Sequence, residues 1–138
     1  FIAEIRRSLG REGLLQDVDF VKEFDPERRA AFLRTLTLLS VPIPGGEAFG
    51  LFQLEAMASG VPVVQPAVGG FPEVAELTGG SLVYDPTDTG ALVTALQRVL
   101  SDETERNRLA REGLTSVRNR FTIRQMAARM SEVYDNVR

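Results

Sequence analysis

Two glutamates, Glu47 and Glu55, with seven residues between them, flank the stretch of this chain best suited to chemistry. Pro44, Gly45 and Gly46 forbid regular structure ahead of it. Gly50 removes side-chain bulk where a helix is predicted to begin, and Gly60 supplies its stop. Between them Leu51, Phe52, Leu54, Ala56, Met57 and Ala58 point almost all round the helix, which predicts a buried element. Glu55 lies four residues after Leu51, on a face that is otherwise apolar, and a carboxylate buried without partners is costly. It stands about 7 Å along the axis from Gly50 at about 1.5 Å rise per residue. Between the carboxylates lie the free N–H groups of the first helical turn, equivalent to roughly +0.5 of an elementary charge. The order is therefore acceptor, anion site, acceptor. A molecule with hydroxyls at both ends and phosphates between them, such as a nucleotide-diphosphate sugar, matches that order. Spacing alone equally allows Glu47 to be a solvated loop residue and Glu55 to pair with an internal arginine.

The elements around this stretch alternate. Phe1, Ile2, Ile5 and Leu9 have helical spacing and Gly10 ends that segment. The pattern is already under way at Phe1, as expected of a piece of something longer. Residues 17–21 alternate polar and apolar, which predicts a short strand. Asp25 and Pro26 open a helix with Ala30, Phe32, Leu33 and Leu36 on its core side. Residues 37–42 form a strand leading into the Pro-Gly loop. Residues 61–65 read as a buried parallel strand with Pro62 near its start. Gly69 and Gly70 make a turn into a helix from Phe71 to about Glu76, whose mouth either faces an anion or simply joins strand to helix. Residues 81–84 form another strand, closed by Asp85 and Pro86. Leu92, Ala95, Leu96 and Val99 mark a helix to about Leu100. Asp102 with Glu105, and Thr122 with Gln125, have the form of capping boxes opening two further helices, the first weakened by Gly113. The last carries Ile123, Met126, Met130, Val133 and Tyr134 on its apolar side. Arg118, Arg120, Arg124 and Arg129 are spread over more than one helix and read as solvated. The fold class is α/β: a Rossmann-like parallel sheet with helices on both faces, incomplete at its N-terminal edge, followed by C-terminal helices. Ligands of such sheets bind beyond the carboxyl ends of the strands, where Glu47 falls.

Composition narrows the function. The 138 residues suit one domain with a real core, 43% hydrophobic and 25% charged. A net charge of −3 gives no footprint for nucleic acid. With no Cys and no His, disulfides, thiolate zinc sites and imidazole bases are excluded within the chain. No apolar run approaches the ~20 residues of a membrane span, and there is no signal-peptide pattern.

Glu47-Ala48-Phe49-Gly50-Leu51, then Glu55-Ala56-Met57-Ala58-Ser59-Gly60-Val61-Pro62-Val63-Val64, resembles the signature of the family 4 retaining glycosyltransferases of two-domain GT-B fold. Gly69-Gly70-Phe71-Pro72-Glu73-Val74 is similar to that family's next motif, and the likeness extends to about Tyr134. The resemblance implies that residues 1–138 are the donor-binding domain of such an enzyme. In it Glu47 would be catalytic and contact the donor sugar. Ala48, Phe49, Gly50 and Leu51 would meet sugar and diphosphate, Glu55 the ribose, and Gly69 and Gly70 would lie beside the donor. It further implies no metal and no cofactor, an acceptor of unknown identity, a cytoplasmic enzyme and a peripheral membrane association of the full protein. The family's Arg- and Lys-bearing strand end precedes the region matched, and its N-terminal acceptor domain has no counterpart here. This chain alone is expected to transfer little or nothing. The final helix, which in the family often reaches back to the other domain, should then expose Met126, Met130 and Tyr134. The alternatives are an epimerase or phosphorylase of the same architecture, a non-catalytic nucleotide-sugar-binding module, and a structural interaction domain.

Overall fold

Val63 and Val64 are both fully buried although they are consecutive in a strand. Successive strand side chains point to opposite faces, so each face must carry its own cover. The computed structural model, which describes residues 2–21 and 25–137, shows both covers. In chain order the elements are α1 (Ile2–Arg11), α2 (Pro26–Leu33), β1 (Leu39–Ser40), α3 (Leu51–Ala58), β2 (Val63–Pro66), α4 (Phe71–Thr78), β3 (Ser81–Tyr84), α5 (Ala91–Ser101), α6 (Glu103–Arg120) and α7 (Ile123–Asn136). The three strands form one parallel sheet in the order β1-β2-β3, with Leu39 opposite Val63 and Val63 opposite Ser81. Val63 packs with Leu33, Leu54, Met57, Val74 and Val117, from α2, α3, α4 and α6. Val64 packs with Ala95, Val99 and Leu109, from α5 and α6. The long helix α6 thus serves both faces, Leu109 in one core and Val117 in the other. This is the expected Rossmann-like parallel sheet between two helical layers.

The mid-helix glycine of α6 has a packing cause. A Cβ at Gly113 would lie 3.0 Å from the Cα of Gly80 and 3.0 Å from Cγ of Met57. Losing that Cβ costs about 0.5–1 kcal/mol of helix propensity but brings α6 onto the start of β3. The helix runs unbroken through it for 18 residues.

Three local expectations need correction. Residues 17–21 form no strand; a 3-10 turn occupies Leu15–Asp17, and Val18 and Val21 are exposed. Alternation predicts a strand only where a partner strand and a core exist, and here the segment is tied to α1 by the Arg6 guanidinium, 4.2 Å from the centre of the Phe20 ring. Helix α1 runs one residue past Gly10 and buries none of its side chains; Phe1 lies outside the described residues. The Asp102 box is half a box. Asp102 accepts from the backbone N–H of Glu105, but the Glu105 carboxylate turns instead to Arg98 at 2.7 Å and Arg108 at 2.9 Å. The Thr122–Gln125 box is complete.

That diversion has a consequence in acid. The hydrogen bond from Arg108, reinforced by the charges of Arg108 and Arg98, holds the Glu105 carboxyl below its ordinary range. A carboxylate depressed in the folded state stabilises fully above its unfolded pKa, about 4.3, and loses that contribution as pH falls through the folded value. Urea melts between pH 7 and pH 3 should therefore show a shallower acid loss for Glu105→Gln than for the parent. Equal slopes would make this network inert.

Candidate donor-binding site

The loop from Val41 to Gly50 carries the first glutamate, and its shape is set from beneath. Its start is fixed where the Val41 N–H donates to Oε1 of Gln65, at 3.1 Å. Its end is fixed where Nε2 of Gln53 donates to the Phe49 carbonyl, at 2.8 Å. In the middle the Gly70 N–H donates to the Glu47 carbonyl, also at 2.8 Å. Gly69 and Gly70 make that last contact feasible. A Cβ on Gly69 would come within 2.5 Å of the Glu47 carbonyl oxygen, and one on Gly70 within 2.4 Å of that of Ala48. The two glycines therefore meet the Glu47–Phe49 backbone itself. Their observed part is to bring one turn against another. Gly46, with φ +67°, completes the contact from the other side, close to Val68 and Gly69.

Gly50 takes the left-handed conformation, φ 70° and ψ 65°, and caps α3 without any side-chain bond. Among the described residues no acceptor takes the backbone N–H groups of Ala48, Phe49, Gly50, Leu51 or Phe52. These donors, at the positive end of a helix, form a ready site for an anion. Glu47 stands exposed beside them, its carboxylate without a partner among the described residues.

Glu55 is less buried than its apolar face suggested, and it has the arginine partner that its spacing allowed. Helix α3 buries Gln53, Leu54, Ala56 and Met57, but Leu51 is 61% exposed and the Glu55 side chain 31%. Nη2 of Arg29, on α2, lies 3.1 Å from Oε1 of Glu55. Arg29 is itself half-exposed, so the pair sits on an open rim, and Oε2 of Glu55 is left to accept from elsewhere. Sequence reading gave no site role to Arg29, Gln53 or Gln65. The signal for the glutamines was present: each is an uncharged polar residue within an apolar run.

Helix α7 behaves as the resemblance implied. Met126, Met130 and Tyr134 are 64%, 49% and 66% exposed. Its apolar side, with Phe49 and Leu51 from the loop and the head of α3, lines a groove of about 480 Å³. Its neighbour arginines at 118, 120, 124 and 129 are exposed, as expected, and Arg120 donates to the Leu77 carbonyl. No helix among the described residues is long and apolar enough to cross a membrane, and no group of three or more acidic side chains there is arranged to hold a metal.

Residues 3–115 match the family model of glycosyl transferases group 1. The chain is 34% identical over 143 residues to the lipopolysaccharide core biosynthesis mannosyltransferase LpsB of Rhizobium meliloti, covering 99% of this chain and 39% of that protein. It is 31% identical over 125 residues to the phosphatidyl-myo-inositol mannosyltransferase of Mycobacterium leprae, covering 91% and 33%. Its fold superposes on the sucrose-phosphate synthase of Thermosynechococcus elongatus with a TM-score of 0.83 at 30% identity, over 98% of this chain and 34% of the other. The chain thus spans between 33% and 39% of the length of these proteins.

Proposed function

The chain belongs to the group 1 glycosyl transferases, and from that premise we propose that residues 1–138 are the donor-binding domain of a retaining enzyme that takes a nucleotide-diphosphate sugar. The observation that carries the reading is the run of five unclaimed backbone N–H groups at 48–52, with Glu47 before them and Glu55 after. The diphosphate lies against Phe49, Gly50 and Leu51, where the helix end takes up charge as the nucleoside diphosphate departs. Glu47, exposed and unpaired, accepts from hydroxyls of the donor sugar. Oε2 of Glu55 accepts from the ribose, with Arg29 holding the other oxygen. Gly69 and Gly70 act by seating the loop. No metal is needed in this arrangement, because backbone dipoles face the phosphates. The acceptor, and the rest of the cleft, come from the remainder of a two-domain enzyme, against which α7 and its groove would pack. These 138 residues alone bind donor and transfer little.

Ligand-observed NMR with UDP-, GDP- and ADP-sugars, repeated on Glu55→Ala, tests this. A signal from one nucleotide class that Glu55→Ala abolishes is the expected result. Silence across the panel, both here and on a chain extended upstream, overturns the donor reading in favour of an interaction domain.

Arg29→Ala supplies a finer prediction. With its partners half and about one-third exposed, the ion pair is worth about 0–1 kcal/mol to stability, so the melting temperature should barely move. Donor affinity should fall severalfold, because Glu55 loses the group that fixes its carboxylate. Titration calorimetry beside thermal melts separates the two, and unchanged affinity would remove Arg29 from the site.

A further inference from the structure

We infer that Gln53 and Gln65 form a buried two-point clamp that holds the donor loop in its binding shape, making both of them positioning residues. Each side chain is fully buried, and each grips one end of the Val41–Gly50 loop: Gln65 takes the Val41 N–H, and Gln53 donates to the Phe49 carbonyl. Each also leaves its other end, Nε2 of Gln65 and Oε1 of Gln53, buried without a partner among the described residues. An amide half-satisfied in a core is a poor way to gain stability, since an apolar side chain of similar volume avoids the orphaned atom. What these two amides achieve, and no apolar residue can, is directional hold on a loop that has few other anchors. Apart from its own turns and the first bond of α3, its other backbone hydrogen-bond anchor among the described residues is the bond from Gly70. The Phe49 carbonyl is the critical grip. It orients the peptide just before Gly50, and so aims the Gly50 N–H, one of the five unclaimed donors. Gln65 belongs to β2 at the centre of the sheet and Gln53 to α3, so the loop is referenced to both rigid layers at once.

This rests on the donor reading above, and the experiment separates the two. Gln53→Met and Gln65→Met keep volume and remove the grip; Val99→Ala, buried on the opposite face of the sheet, supplies a destabilised control. Hydrogen exchange is followed at residues 41–50 together with the dissociation constant for the donor identified in the NMR panel. The clamp predicts faster exchange confined to the loop and affinity weakened about tenfold, the scale of one directional hydrogen bond, in both glutamine variants and not in Val99→Ala. Exchange and affinity that merely follow global stability, as in Val99→Ala, overturn it. If either methionine variant fails to fold, the parent protein decides. The Val41 backbone N–H and the Gln53 side-chain NH₂, the two donors of the clamp, should exchange slowly in 15N spectra, and exchange at solvent rates would overturn the clamp. If no nucleotide sugar binds at all, the donor reading falls, while the loop exchange data still accept or reject the clamp.

Discussion

Glu47→Ala is expected to remove transfer by the full enzyme while leaving the fold untouched. The Glu47 side chain is exposed and has no partner among the described residues, so its loss exposes no orphaned group and opens no cavity. Surface substitutions of that kind shift stability by about ±0.5 kcal/mol or less. The chemical loss is of another order. A carboxylate accepting from two sugar hydroxyls makes charge-assisted bonds of about 1.5–3 kcal/mol each. Their joint loss corresponds to about two to four orders of magnitude in donor-dependent rate. Glu47→Gln, which retains shape but not charge, should fall between. Steady-state kinetics with a thermal melt on each variant gives the comparison. Activity within a few-fold of the parent would return Glu47 to the status of a solvated loop residue.

Gly70→Ala should disrupt the site through a purely steric effect, and a short glycine series shows why. At Gly45 an added Cβ meets nothing within 4 Å and the backbone is ordinary, so alanine should be silent there. At Gly60 there is also open space, but φ is +79°, so alanine costs only backbone strain, about 1–2 kcal/mol. At Gly70 φ is ordinary, and the whole penalty is steric: Cβ would fall 2.4 Å from the Ala48 carbonyl oxygen and 3.1 Å from its carbon. Those are backbone atoms and cannot rotate away. Either the core absorbs strain of about 1–3 kcal/mol, or the two turns separate and the Gly70–Glu47 bond breaks. Separation carries Glu47 and the N–H groups of 48–50 out of place, and a displacement of about 1 Å can cost about a hundredfold in rate. Gly70→Ala and Gly60→Ala should thus melt at comparably lowered temperatures, yet only Gly70→Ala should lose donor binding. Equal binding by both would mean that the turn at 69–70 does not shape the site. Gly69→Ala combines clash and positive φ, and should be the worst of the series for stability.

The amino-acid sequence by itself determined the parts of this protein that depend on near neighbours. The alternation of strands and helices, the break at Pro44–Gly46, the stop at Gly60 and the complete box at Thr122–Gln125 all follow from short-range period and capping chemistry. So does the glutamate pair, because a loop followed by a helix fixes the order of acceptor, open N–H groups and acceptor. The family resemblance rests on that same continuous stretch. Tertiary structure alone decided which distant groups meet. It put Arg29 of α2 beside Glu55, seated Gly69 and Gly70 against the backbone of Glu47 and Ala48, and drew Glu105 away from its capping box to two arginines. It also left residues 18–21 without a strand to pair with, although their alternation was correct in form. The reason is common to all of these. Period and propensity describe a segment's own backbone, whereas a carboxylate's partner, a glycine's missing Cβ and a strand's neighbour are set by whichever surface the packed sheet brings against them.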